Sequence, residues 1–412
     1  MKIHDNVSRY PWYRFFRDCY FWGPAFFLYF TSVLTLEQAL WLEGVYYVSV
    51  AALEVPSGYL SDRLGRKCTL VFSSACLAAA FLVFFLGKSF AVFALAQVLM
   101  ACGYASASGT DTALLFESLK QAGRENEYTH HEARALKFTF RAGAVGALGG
   151  GLLALVELKW IYGASCLAAL VSMGLALTFT EPGENSPTPV KSMGPQVKAL
   201  MKKSMALPFR FFTLYTVGMT LLIHFPYEFY QPYLDRVVGQ WQTTSGLTPL
   251  VTGFHLAATA LVGSFFTRFA TPRIHGCEIR RILMGTALFQ VLLIALMAAI
   301  VHPAMVILLV GRTLARALTG PLVNAQVSPL LKREERSTFL SLQSLMGRLG
   351  YGVVLWVLPL GSRLFSDALT GSLFWAAVVG LGILLLLKLT PSSPDAPCCR
   401  GHHGHGHGHS HH

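Results

Sequence analysis

"GYLSDRLGRK", residues 58–67, gathers Asp62, Arg63, Arg66 and Lys67 into six positions between two long apolar stretches. Charge this dense needs water or counter-charge, and its flanks need neither, so the decapeptide reads as a turn held where two solvents meet. The composition names the second solvent. Of the 412 residues, 53% are hydrophobic and only 13% charged, and the mean hydropathy is +0.49. Too little polar surface remains to coat a water-soluble globule. The chain is expected to be an integral, multi-pass membrane protein.

A helix crossing the hydrocarbon core needs roughly 20 mostly apolar residues. Twelve such segments lie on either side of the decapeptide, at 12–34, 40–61, 68–88, 90–117, 135–157, 160–180, 209–232, 248–270, 280–300, 303–327, 337–360 and 370–390. The expected fold class is therefore an all-α membrane protein with 12 transmembrane helices. Pro and Gly inside several spans are compatible with this, because neighbouring helices satisfy the freed backbone groups. A closed barrel is excluded by the lack of short alternating strands.

Short loops rich in Lys and Arg stay in the cytoplasm. One set of loops holds Arg9 and Arg14, the decapeptide, Lys120 with Arg124, Lys191 through Lys203, Arg273 with Arg280 and Arg281, and Lys332 through Arg336. The other holds only Lys88, Lys159, Arg236 and Arg363. Both termini are then expected on the cytoplasmic side, in a bacterial inner membrane. The net charge of +12 reads as this bias beside anionic lipid, not as a nucleic-acid footprint. The aromatic and basic start "RYPWYRFFRDCYFWGP" (9–24) carries no small-residue cleavage site and reads as a retained helix. The eight cysteines show no disulfide spacing and are read as reduced.

The chain also repeats itself. Arg14-Phe15-Phe16 opens the first span and Arg210-Phe211-Phe212 the seventh, while Arg141-Ala142-Gly143 is answered by Arg348-Leu349-Gly350. Residues 263–268, "GSFFTR", stand where 58–63, "GYLSDR", stand in the first half, with Thr267 in place of Asp62. This divides the chain into an N-terminal six-helix bundle (1–180), a polar, Pro-rich and then basic linker (181–208), a C-terminal six-helix bundle (209–390) and a His-rich tail (391–412).

Six plus six helices, a long central loop and a charged turn between helices 2 and 3 resemble the major facilitator superfamily. Its signature, Gly-x-x-x-Asp-Arg-x-Gly-Arg-Lys/Arg, is matched by "GYLSDRLGRK" at every fixed position. The resemblance implies a secondary transporter working by alternating access between two bundles. It also implies a gate at this turn, with Asp62 and Arg66 as latch residues among Gly58, Arg63, Gly65 and Lys67. The plainer alternative is that the basic residues only enforce topology. "SGTDTALLFESLK" (108–120) looks like a stretch of drug-efflux-like branches. "RAGAVGALGGG" (141–151) resembles the glycine-rich helix 5 of antiporters without its usual Gly-Pro pair, and helix–helix packing accounts for the glycines equally well. Helix 4 carries Gln97 and Gly103 where many proton-coupled members have a basic residue.

Ionisable residues inside spans are costly and so are functional candidates. Asp18 in helix 1, Glu54 in helix 2, Asp111 in helix 4 and Arg141 entering helix 5 are expected either to ion-pair within the first half or to act in coupling. Glu54, in apolar surroundings before Pro56, is a proton-exchange candidate. In "HFPYEFYQPYL" (224–234), His224 and Glu228 are four apart and share a helix face, while Pro226 and Pro232 predict a kinked or partly unwound segment of the kind transporters use for binding. The pair suits proton carriage, an organic cation or a metal, and the tyrosines beside it also suit an interfacial aromatic belt. Helix 10 offers Arg312, Arg316, Asn324 and Gln326. Its arginines suit an anionic substrate or a carboxylate partner. Helices 1, 4, 7 and 10 line the cavity in the family.

The tail "PCCRGHHGHGHGHSHH" brings Cys398, Cys399, His402, His403, His405, His407, His409, His411 and His412 together as candidate ligands for Ni, Zn, Cu or Co. A native metal-holding end, an engineered tag and an incidental low-complexity end all fit it. No cofactor is required, and no nucleotide-binding loop or catalytic constellation marks an enzyme. The expected function is proton-coupled efflux of a small molecule by a single copy in the lipid bilayer. Transport of a metal or metal chelate, or a non-transporting metal sensor, are the alternatives.

Overall fold

The computed structural model describes residues 4–182, 193–240, 246–269, 279–332 and 335–391. The tail histidines, Cys398 and Cys399, and the side chains of Gly58, Asp62, Thr267 and Arg268, lie outside what is described. Among the described residues the chain forms sixteen α-helices and no strand.

The first half holds α1 (His4–Arg17), α2 (Phe26–Val33), α3 (Leu36–Leu64), α4 (Arg66–Leu86), α5 (Phe90–Ala107), α6 (Thr110–Gln121), α7 (Tyr128–Val156) and α8 (Trp160–Leu177). After α9 (Met193–Ser204) the second half holds α10 (Arg210–Gly239), α11 (Thr248–Phe269), α12 (Ile279–Ala299), α13 (Ala304–Val310), α14 (Arg312–Val327), α15 (Arg336–Ser362) and α16 (Ala368–Leu389). Eight stretches of described residues are long and apolar enough to cross a membrane. Leu82, Leu95, Leu167, Leu261, Ile307 and Leu385 point outward, as a lipid-facing surface requires and a water-facing one rarely permits.

Local chemistry sets several boundaries. Thr35 opens α3 with a capping box, its hydroxyl accepting from Gln38 N at 3.2 Å while Gln38 Oε1 accepts from Thr35 N at 3.1 Å. Gly65, at φ 90° and ψ 160°, ends α3 and opens α4 in a conformation almost reserved for glycine. Asp367 caps α16 by accepting from Thr370 N at 2.9 Å.

Three expected spans are broken. Residues 12–34 split into α1 and α2 around an irregular segment at 18–25, residues 90–117 split at Gly109 (φ 76°), and residues 303–327 step at Gly311. The seventh span, read as kinked or partly unwound at Pro226 and Pro232, does not unwind: α10 runs as one continuous helix through both prolines.

The glycines of α7 explain how the first break is housed. Any side chain at Gly146 or Gly150 would collide with the backbone of Tyr20 or Phe21, and one at Gly149 would meet the Phe21 ring. Gly151 lies against Pro249 of α11, and Gly253 of α11 lies against the Ala147 carbonyl. Gly44 and Gly352 similarly let α3 and α15 touch. Lipid offers no hydrophobic drive between helices, so close contact of small residues and interhelical hydrogen bonds must hold them. Within the first half those bonds include Tyr29 OH to Phe84 O at 2.7 Å and Ser73 Oγ to Gly103 O at 2.6 Å, each worth about 0.6 kcal/mol in such a setting.

Candidate functional site

Between the halves lies a cavity of about 470 Å³. Its wall is largely aromatic, with Trp22, Phe26, Tyr46, Tyr47, Tyr104 and Tyr227 among the contributors, and its ionisable side chains are Glu43, Glu54, His224, Arg316 and Arg348. The 18–25 break supplies Tyr20, Trp22 and Gly23. The broken helix therefore brings backbone and side chains of the first span to the cavity edge.

Four polar arrangements surround this space. Glu43 is buried and its Oε1 accepts from Gln97 Nε2 at 2.9 Å. One turn further along the same face of α3, Tyr47 OH donates to Glu228 Oε1 of α10 at 2.9 Å. Glu228 is fully buried, and its Oε2 has no hydrogen-bond partner. Neither glutamate has a cation within ion-pairing distance among the described residues. His224 points its ring at Tyr47 and Tyr351, 5.3 and 5.2 Å between centroids, and donates from Nδ1 to Thr220 O at 2.6 Å. His224 and Glu228 thus converge on Tyr47 without bonding each other. Glu54 pairs with Arg348 of α15 at 3.3 Å.

The two arginines of α14 part company. Arg312 is buried, donates to the Pro226 carbonyl at 3.1 Å and lies 4.2 Å from the Tyr230 ring centroid. Arg316 faces the cavity and is exposed there. Asn324 and Gln326 lie further along α14 and are not among the lining residues.

A second cluster sits at the α1 end of the first break. Arg17 pairs with Asp111 at 2.6 Å and with Asp18 at 2.8 Å, while Arg14 pairs with Asp111 at 3.1 Å and with Asp18 at 3.3 Å. Thr139 also donates to Asp18, at 2.7 Å. The two aspartates do meet, but their cations come from α1. Arg141 is not part of this group; it is exposed, with its guanidinium 5.6 Å from the Phe138 ring centroid.

At the decapeptide, Arg66 pairs with Glu117 at 3.2 Å and donates to Ser61 Oγ at 2.8 Å. Glu181 closes the turn. Its two oxygens accept from the backbone N–H groups of Arg66 and Lys67 at 2.6 and 2.8 Å, capping α4 with a negative charge at its N-terminus. Glu181 was expected to be the first residue of a linker, and Glu43 lay near the edge of its span. Sequence reasoning missed both, along with Arg14 and Arg17. The signals were present: a carboxylate four positions before Tyr47, and two arginines inside an otherwise apolar segment.

Further bonds join the halves. Gln231 Nε2 donates to Gly23 O at 2.8 Å, and Trp41 and Trp356 each donate an indole N–H to the other's carbonyl at 3.1 Å. Arg363 pairs with Glu37 at 2.5 Å. Among the described residues no three His, Cys, Asp or Glu side chains come together to hold a metal ion, so the metal alternative gains no support here.

Two helical halves, broken helices and an aromatic cavity with buried carboxylates at their interface define a membrane carrier. Residues 15–355 match the family model for the Major Facilitator Superfamily, and the chain belongs to that family. It is an integral, multi-pass transporter and not an enzyme. A mutant of the nucleoside transporter NupG superposes with a TM-score of 0.74 at 13% identity, covering 93% of this chain and 98% of that one. A D-xylose-proton symporter does so at 0.65 and 14% identity, covering 95% and 98%. The peptide transporter POT in complex with sulfate gives 0.66 at 11% identity, covering 93% of each. No curated protein sequence matches the chain.

Proposed function

We propose that the protein is a proton-coupled secondary transporter of a small organic solute, working by alternating access, with the central cavity as its binding site and Glu228 as the group that exchanges the proton. Joining α1 with α2, α5 with α6 and α13 with α14 gives twelve spans, with both termini on the cytoplasmic side of a bacterial inner membrane. The observation that carries the coupling is Glu228 itself. Its carboxyl is fully buried, bonded across the halves to Tyr47 and left with one unpartnered oxygen. A buried carboxylate with no cation beside it is stable only when its charge is neutralised. A bond that spans the two halves also ties that proton to their relative movement.

The glycines of α7 house the 18–25 break, so their likeness to the antiporter motif assigns no direction. By their descriptions the solved relatives act on nucleosides, D-xylose and peptides, which singles out no substrate for this chain. The test is proton flux in proteoliposomes enclosing a pH-sensitive dye, challenged with uridine, xylose, dialanine and naphthoate. At least one should move protons, and the sign of the gradient that drives its accumulation gives the direction. Glu228→Gln should lose gradient-driven accumulation by about tenfold or more while keeping solute exchange. Undiminished accumulation in that variant, or no solute-linked proton movement in the intact protein, would sink the proposal.

A further inference from the structure

We infer that the solute is an organic anion with a ring-bearing, apolar body, its anionic group received by Arg316 and its ring by the aromatic wall. This deepens the proposed function and rests on the central cavity being the substrate site. The argument follows the charges. Arg348 is committed to Glu54, Glu43 holds Gln97, and Arg312 is spent on the Pro226 carbonyl and the Tyr230 ring. Arg316 lines the same cavity, exposed to it, and among the described residues no carboxylate lies within ion-pairing distance and no ring lies beneath its guanidinium. An unpaired guanidinium inside a bilayer is expensive and needs a counter-ion. Glu54 is paired with Arg348, and Glu43, held by the neutral amide of Gln97, lies outside ion-pairing distance of Arg316, so an anion entering the cavity would be the first counter-charge this guanidinium meets.

The remaining surface supplies the rest of the ligand. Nine of the twenty lining residues are aromatic, and the volume of about 470 Å³ holds a fused two-ring solute with a polar substituent. Aromatic walls also attract organic cations. Here such a cation would meet the Arg316 guanidinium and find Glu54 already paired with Arg348. Guanidinium recognises carboxylate, sulfonate and phosphate alike through paired N–H donors, so the inference covers that class of anion.

Three naphthalene derivatives of similar shape and different charge separate the possibilities: naphthoate, naphthalenemethanol and naphthylmethylammonium. Each is titrated calorimetrically into the full chain in lipid nanodiscs. Naphthoate should bind at least about tenfold more tightly than the ammonium, the difference expected of one charge-assisted contact. Arg316→Gln should weaken naphthoate by a similar factor and leave naphthalenemethanol unchanged, which also shows that the variant is folded. Arg316→Lys should fall between, and Arg316→Glu should reverse the charge preference. Equal or tighter binding of the ammonium, indifference of naphthoate to Arg316→Gln, or no binding of any of the three would overturn the inference. Naphthoate that binds through Arg316 but fails to move with protons would uphold it and count against the coupling instead.

Discussion

Gly65 shows how one residue can carry several constraints. Its backbone lies where side chains are almost excluded, and the Glu181 carboxylate occupies the space a Cβ would need. Gly65→Ala should therefore cost about 1–3 kcal/mol, read as a lowered melting temperature in detergent. Glu181→Ala removes acceptors from two N–H groups and a charge from the α4 terminus, and should cost about 1 kcal/mol; Glu181→Gln should cost less. If both Glu181 variants melted like the parent, the capping role would be wrong. At this scale the sequence was partly legible. It marked Asp18 and Asp111 as ion-pair candidates because charge inside a span needs a partner. It misassigned the partner to Arg141, because which helix face meets which is decided by packing. Arg14 and Arg17 reach the aspartates from the helix end beside the break.

Among the elements, the apolar stretches were plain because composition alone announces them. The interruptions were not. Pro226 and Pro232 lie inside a continuous α10, since a proline removes one backbone bond and neighbours decide whether the helix then opens. The true breaks fall near turn-forming pairs, Gly23-Pro24 and Ser108-Gly109, which reading by apolar span overlooked. Gly150→Val should push Phe21 and Pro24 off α7, lowering both folded yield and naphthoate affinity; a well-folded variant with unchanged binding would contradict the housing role. The α16 start makes a pH-dependent claim. Arg236 holds the Asp367 carboxyl below its ordinary range, helped by Thr370. A carboxylate with a depressed pKa stabilises the folded state above its unfolded pKa, and that contribution fades as pH falls below about 4. Asp367→Asn should flatten the acid limb of a stability profile, and an unchanged limb would refute it.

For the molecule as a whole, the halves meet through α3 with α15 and α7 with α11, and the Gln231–Gly23, Trp41–Trp356 and Glu37–Arg363 bonds tie them further. The alternating access proposed above requires these to part. Replacing Glu37 and Arg363 with cysteines and oxidising the pair should abolish transport, and reduction should restore it; transport that persisted with the crosslink intact would show that this contact need not part.

The Trp41–Trp356 pair has an optical consequence. Each indole gives its N–H to the other's carbonyl, so neither can leave alone, and separation delivers two donors and two acceptors to the surroundings together. Indole emission shifts to the red as its N–H gains water, so under the proposed alternating access the pair should redden together when the halves part, a change read as the difference between the parent and a Trp41→Phe, Trp356→Phe variant that keeps the other five tryptophans.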